Sequence, residues 1–117
     1  MSKPKQDTGA SRQVRIAELN DRFRRTLAGG RSAMTMGVQA LGSAFIAKAV
    51  AAMQAFTDFN PDNDPHHEHD FGALEVEGHR LFFKIEYYSR DMQHGSEDPA
   101  DPAKTIRVLT LMLAEEY

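Results

Sequence analysis

Side chains of catalytic type crowd into one short stretch, His66-His67-Glu68-His69-Asp70. Neutral imidazole and carboxylate suit zinc, iron or manganese when three or four such groups converge. The spacing of His66 and His69 does not fit the helical His-Glu-x-x-His arrangement, which sets two imidazoles on one helix face. The alternative is a polar loop whose imidazoles and carboxylates cap neighbouring backbone. Just before it, Asp58, Asn60, Asp62 and Asp64 alternate like the oxygen ligands of a calcium loop. Such a loop needs glycine at its sixth position and glutamate at its twelfth. Here those places hold Asn63 and His69, and Pro61 intervenes, so Asx-turns explain the run better. No catalytic residue, metal ligand or cofactor is assigned.

A second grouping follows from a hairpin. Glu77-Gly78 is a two-residue turn between strands that alternate in polarity. Closing there pairs Val76 with His79, Glu75 with Arg80 and Leu74 with Leu81, which matches opposite charges and like apolar groups. One face then carries Leu74, Val76, Leu81, Phe83, Ile85 and Tyr87 and is the expected core. The other carries His69, Phe71, Ala73, Phe82, Lys84, Glu86 and Tyr88, with His69 opposite Glu86 as an ion pair. Either a helix covers this second face or it is a partly exposed binding surface. The candidate binding residues are His66, His69, Asp70, Phe71, Phe82, Lys84, Glu86 and Tyr88.

Arginines form the third grouping. Arg15, Arg22 and Arg25 lie on one flank of a helix, with Arg31 nearby, and such a stripe can contact nucleic-acid phosphates. Glu18–Arg22 and Asp21–Arg25 have the acid-first i,i+4 spacing that favours ion pairs, so a solvated, internally paired face is the competing reading. Neither a glycine-rich phosphate loop nor a Gly-x-Ser-x-Gly turn is found.

These groups need elements to hold them. Residues 1–10 are expected to be a flexible tail and residues 11–117 a single α+β domain. The first helix should run from Ser11 or Arg12 to Ala28. Its Ile16, Leu19, Phe23 and Leu27 fall within about 80° of arc, and Gly29-Gly30 should end it. A short strand is expected over about 31–37. A second helix follows over Ser43 to Phe56, with Ser43 as N-cap, so apolar that burial on several sides, or a share in a partner contact, is expected. Thr57 to Asp70 and Ser89 to Asp101 read as polar loops. Asp101-Pro102 is a helix start signal, so residues 102–116 are predicted to form a helix burying Ile106, Leu109, Met112 and Leu113. Their Thr, Ile and Val content leaves a terminal strand open. The predicted fold is a small antiparallel sheet, hairpin 71–88 plus strand 31–37, packed on two or three helices.

Composition sets the outer bounds. The 117 residues are 41% hydrophobic and 26% charged with no cysteine, which suits one folded domain and rules out disulfides and thiolate metal sites. No apolar stretch of membrane-spanning length and no secretion signal is seen, so a cytoplasmic protein is expected. Residues 1–48 carry nine Lys or Arg against three acids, +6, whereas residues 49–117 carry five against fourteen, −9. Such polarity can steer a charged partner or draw copies of the chain together.

Several linked stretches resemble a family of short alphaproteobacterial proteins known only as a domain of unknown function, often on plasmids and integrated elements. They are Asp62-Asn63-Asp64-Pro65-His66, Glu68-His69-Asp70-Phe71-Gly72, Lys84-Ile85-Glu86-Tyr87-Tyr88, Ser96-Glu97-Asp98-Pro99-Ala100-Asp101-Pro102 and Arg107-Val108-Leu109-Thr110-Leu111-Met112-Leu113-Ala114-Glu115-Glu116-Tyr117. Leu19-Asn20-Asp21, Phe23-Arg24 and the Gly29-Gly30-Arg31 turn fit as well, and Glu86 departs from an expected Asp. The resemblance implies a mobile-element context and no activity. The expected function is a non-enzymatic module that binds another protein, with a homodimer as one form it can take. On a mobile element it would inhibit host defence in the anti-restriction or anti-CRISPR manner. The alternatives are a metal-dependent or His-based hydrolase using His66, His69, Asp70 and Glu86, and a nucleic-acid binder using Arg15, Arg22, Arg25 and Arg31. No membrane partner is expected.

Overall fold

A computed structural model describes residues 9–117. The predicted tail of residues 1–10 lies outside them, except that Gly9 and Ala10 already belong to the first helix. That helix, α1, spans Gly9–Thr26. It stops two residues short of the predicted end because Leu27 itself takes a left-handed φ of 58°, ahead of Gly29 at 92°. The Thr26 hydroxyl closes the last turn, donating to the Arg22 carbonyl and accepting from the Ala28 amide.

Strand β1 is Gly30–Met34, helix α2 is the single turn Met36–Gln39, and helix α3 is Ser43–Gln54. The α2 turn has no counterpart in the sequence reading. Gly42, not Ser43, occupies the N-cap of α3, and no side chain caps it. Expected burial of α3 on several sides is not met. Phe45, Ala49 and Met53 are buried, while Ala44, Ala47, Lys48 and Ala51 face outward, alanine being small enough to need no cover.

The hairpin forms as predicted, with β2 at Phe71–Val76 and β3 at His79–Tyr88. Leu74 faces Leu81, Glu75 faces Arg80 and Val76 faces His79. Glu77 and Gly78 both have positive φ, 51° and 81°, which matches the right-handed twist of the flanking strands.

Residues 102–116 are mostly strand, which corrects the predicted helix. Asp101 and Pro102 do start a helical turn, with the Asp101 carboxylate accepting the Ala103 amide at 2.9 Å, but it lasts only Pro102–Lys104. Strand β4, Ile106–Leu113, follows. Its alternation of Arg107, Leu109 and Leu111 against Ile106, Val108 and Thr110 suits a pleated strand, and its β-branched residues favour one. It runs antiparallel to β3 and parallel to β1, giving the order β1-β4-β3-β2. The α+β class therefore stands, with a mixed, mostly antiparallel four-stranded sheet and three helices. Phe23, Val38, Phe45, Ala49 and Met53 from the helices meet Val76, Leu81, Phe83, Ile85, Leu109 and Leu111 in one core. No helix among the described residues is long and apolar enough to cross a membrane.

Candidate functional site

Side chains alternate between the two faces of a strand. Because all three helices pack on the face of Leu81, Phe83 and Leu109, the opposite face has no helix over it among the described residues. Phe71, Phe82, Lys84, Glu86 and Tyr88 all lie there, as the hairpin register predicts, and all are partly exposed. The Phe71 and Phe82 ring centroids are 5.1 Å apart. A 3₁₀ turn at Ala114–Glu116 brings Tyr117 back over them, edge-on at 5.9 Å and 5.5 Å, while Tyr117 itself stays 75% exposed. The Arg80 guanidinium sits 5.6 Å from the Phe82 ring, and Lys84 pairs with Glu86 at 3.6 Å. Met112, opposite Phe82 in the ladder, is buried even on this uncovered face.

His69 and Asp70 do not share that surface. The ladder of β2 begins at Phe71, so the predicted His69–Glu86 pair does not form. The chain turns there because His67 and His69 both adopt positive φ and the buried Asp64 carboxylate accepts the Glu68 and His69 amides at 2.9 and 3.1 Å. His69 is swung to the helical side. Its ring lies flat on Phe59 at 4.0 Å, its Nδ1 is 3.0 Å from both Asp21 oxygens, and Asp64 Oδ2 is 3.7 Å from its Nε2. A histidine facing carboxylates through both nitrogens is held as a brace between loop and helix. His66 is exposed and joins no such contact. Among the described residues no group of three or more His, Asp or Glu is arranged to hold a metal ion.

Beside this brace runs a buried polar chain. Arg107 Nε donates to Asn20 Oδ1 at 2.7 Å, Asn20 Nδ2 donates to the Tyr87 hydroxyl at 2.7 Å, and that hydroxyl donates to Glu68 Oε1 at 2.9 Å. Burial pushes the Tyr87 hydroxyl well above its ordinary 10.0, so it remains a donor. Burial, then the Glu68 charge, raises Asp70 above its ordinary 3.8, and burial lowers Arg107 from its ordinary value. Arg24 is fully buried too, bonded to the Met53 and Phe56 carbonyls and to Asp21. Asn20, Arg24 and Arg107 were not singled out as buried polar residues from sequence. Asn20 has a signal, since at roughly 100° per residue it lies only about 20° past the Leu27 edge of the apolar arc. Tyr117 had none.

The predicted arginine ion pairs are not made. Asp21 turns inward to Arg24 and His69, so it cannot serve Arg25. Arg15, Arg22, Arg25 and Arg31 are exposed and have no ion pair among the described residues.

Residues 34–116 match a family model described as a protein of unknown function (DUF3768), and the chain belongs to that family. Neither a curated protein nor a solved structure matches it.

Proposed function

We propose that this DUF3768 protein is a protein-interaction module whose helix-free sheet face docks onto a partner protein. The observation that carries this reading is the grouping of Phe71, Phe82 and Tyr117 on a sheet face with no helix over it among the described residues, with Tyr88 farther along the same face. Aromatic residues and arginine are among the types enriched at protein interfaces, and the exposed Arg80 stands beside Phe82. Charges of both signs at Glu75, Arg80, Lys84 and Glu86 form a polar rim.

The partner we propose is a host defence protein, with the chain acting as an anti-restriction or anti-CRISPR inhibitor carried on an alphaproteobacterial mobile element. The support is its small size and the charge of −9 over residues 49–117, since an acidic surface can occupy a site that normally holds nucleic acid.

Phe82→Glu is the direct test, because the side chain is partly exposed on the face opposite the core and the change leaves the inner face intact. The tagged wild-type chain should retain a specific protein from a host lysate and lower the activity of that protein in a nuclease assay. A central aromatic anchor contributes about 2 kcal/mol or more, so Phe82→Glu should weaken retention by roughly thirtyfold. Arg15→Glu, on the helical side, should not. A folded Phe82→Glu variant that holds the same protein with unchanged affinity would sink the proposal.

A further inference from the structure

On the helical side, away from the sheet face, a cleft of about 360 Å³ opens between the second half of α1 and the start of β4. Its apolar wall is Leu19, Phe23 and Pro102, and its two charged lining residues, Arg22 and Arg107, are both cationic. No carboxylate lines it. That alone separates it from the polar loops, where acids dominate.

Arg107 is the unusual member. It is 4% exposed, and a cation so deeply buried is normally paired with a carboxylate. Here its hydrogen bonds go to uncharged acceptors, Nε to the Asn20 amide oxygen and Nη2 to the Pro99 carbonyl at 2.5 Å. Its guanidinium carbon lies over the Tyr87 ring, 5.2 Å from the centroid. Glu68 is reached only across the Tyr87 hydroxyl. Nη1 has no acceptor among the described residues. Arg22, at the rim, is exposed and has no ion pair among the described residues. The Thr26 and Thr105 hydroxyls are already committed to the Arg22 and Asp98 carbonyls, so the two guanidiniums are the side-chain donors left for a ligand. The C-terminus of α1 carries partial negative charge, which Arg24 and Arg25 in its last turn offset.

We propose that this cleft binds a small organic oxyanion, a phosphate ester or carboxylate, with its charged end between Arg22 and Arg107 and its apolar body against Leu19, Phe23 and Pro102. Guanidinium groups suit both oxyanions through paired N–H donors. The volume sits at the lower end of small-molecule sites, which suits one ring and its acidic group.

The test is an amide chemical-shift titration of the full chain with phenyl phosphate in one arm and benzoate in the other, with inorganic phosphate as the reference. Saturable shifts at Leu19, Gly29 and Thr105 with at least one aryl anion are expected, and the arm that binds tells phosphate from carboxylate. Losing one charge-assisted hydrogen bond should raise Kd about tenfold in Arg22→Gln, a surface change that leaves the fold intact. Arg107→Lys should bind still more weakly, and if it does not fold, Arg22→Gln decides alone. No saturable shift from either aryl anion up to about 10 mM overturns the proposal. So does equal affinity for inorganic phosphate, which would mark an unselective arginine patch, or a Kd unchanged in Arg22→Gln. Neither result bears on the sheet face, which these probes do not touch.

Discussion

Asn20 joins three parts of the chain through one amide. Its oxygen accepts from Arg107 in β4, while its nitrogen donates to Tyr87 in β3 and to the Glu68 carbonyl in the loop. Removing it would leave the Arg107 Nε and the Glu68 carbonyl without those partners, and unsatisfied buried groups cost more than the bonds they made. Asn20→Ala is therefore expected to lower unfolding stability by about 2–4 kcal/mol in urea titrations. Val14→Ala, on the exposed side of the same helix, should stay within about 0.5 kcal/mol. A result for Asn20→Ala as small as the control would mean that water replaces the amide freely. Residues of this kind are hard to read in a sequence because polar side chains are placed outward by default. At roughly 100° per residue Asn20 lies only about 20° beyond the apolar arc of α1, which is a clue, whereas Arg24 lies about 60° beyond it and offers none. For His69 the clue was absent, since its orientation depends on a positive φ and on Asp64 capping two amides, neither of which residue type or spacing encodes.

Among the elements, the hairpin was legible down to its register because a two-residue turn and a two-residue side-chain period leave one solution. The last segment was not. Asp101-Pro102 is a true helix start, but the strand after it gains its place from pairing with β1 and β3 on both sides, which is tertiary information. Beyond β4, Glu116 ties the C-terminal turn to the start of α2. It accepts from the Thr35 hydroxyl at 2.5 Å, the Leu113 amide at 2.9 Å and the Gly37 amide at 3.0 Å. These bonds, the Thr35 hydroxyl foremost, hold its carboxyl below the ordinary 4.5. A carboxylate whose pKa falls on folding adds stability above its unfolded value, and that stability fades as pH drops through the folded value. Glu116→Gln should accordingly melt lower than the wild type at neutral pH, with the gap closing well below pH 4.5. A gap that is constant across that range would show that the neutral amide loses packing and not charge. Because Tyr117 follows directly, the same variant should also loosen the ring cluster over Phe71 and Phe82.

At the scale of the molecule, the region that matches the family begins at Met34, yet the core does not. Ile16, Asn20, Phe23 and Arg24 of α1 are buried, and Gly30 to Met34 supply the strand that pairs with β4. Without residues 9–33 the fragment 34–117 would expose one side of Met53 and Leu109 and leave β4 with a free edge. Arg107 and Tyr87 would lose Asn20, and the His69 brace would lose Asp21. The remaining hairpin and strand form a three-stranded sheet covered mainly by α3, near the lower limit for independent stability. Fragment 34–117 is expected to unfold without a sharp transition in urea and to show poorly dispersed amide resonances. Full-length protein should unfold cooperatively. Adding a peptide of residues 9–33 should restore dispersion if the missing contacts are the cause, because its buried side chains would dock into the gap they left. Cooperative unfolding of the fragment alone, at a midpoint near that of the full chain, would show that α1 is an accessory and that the polar chain through Asn20 carries little of the fold.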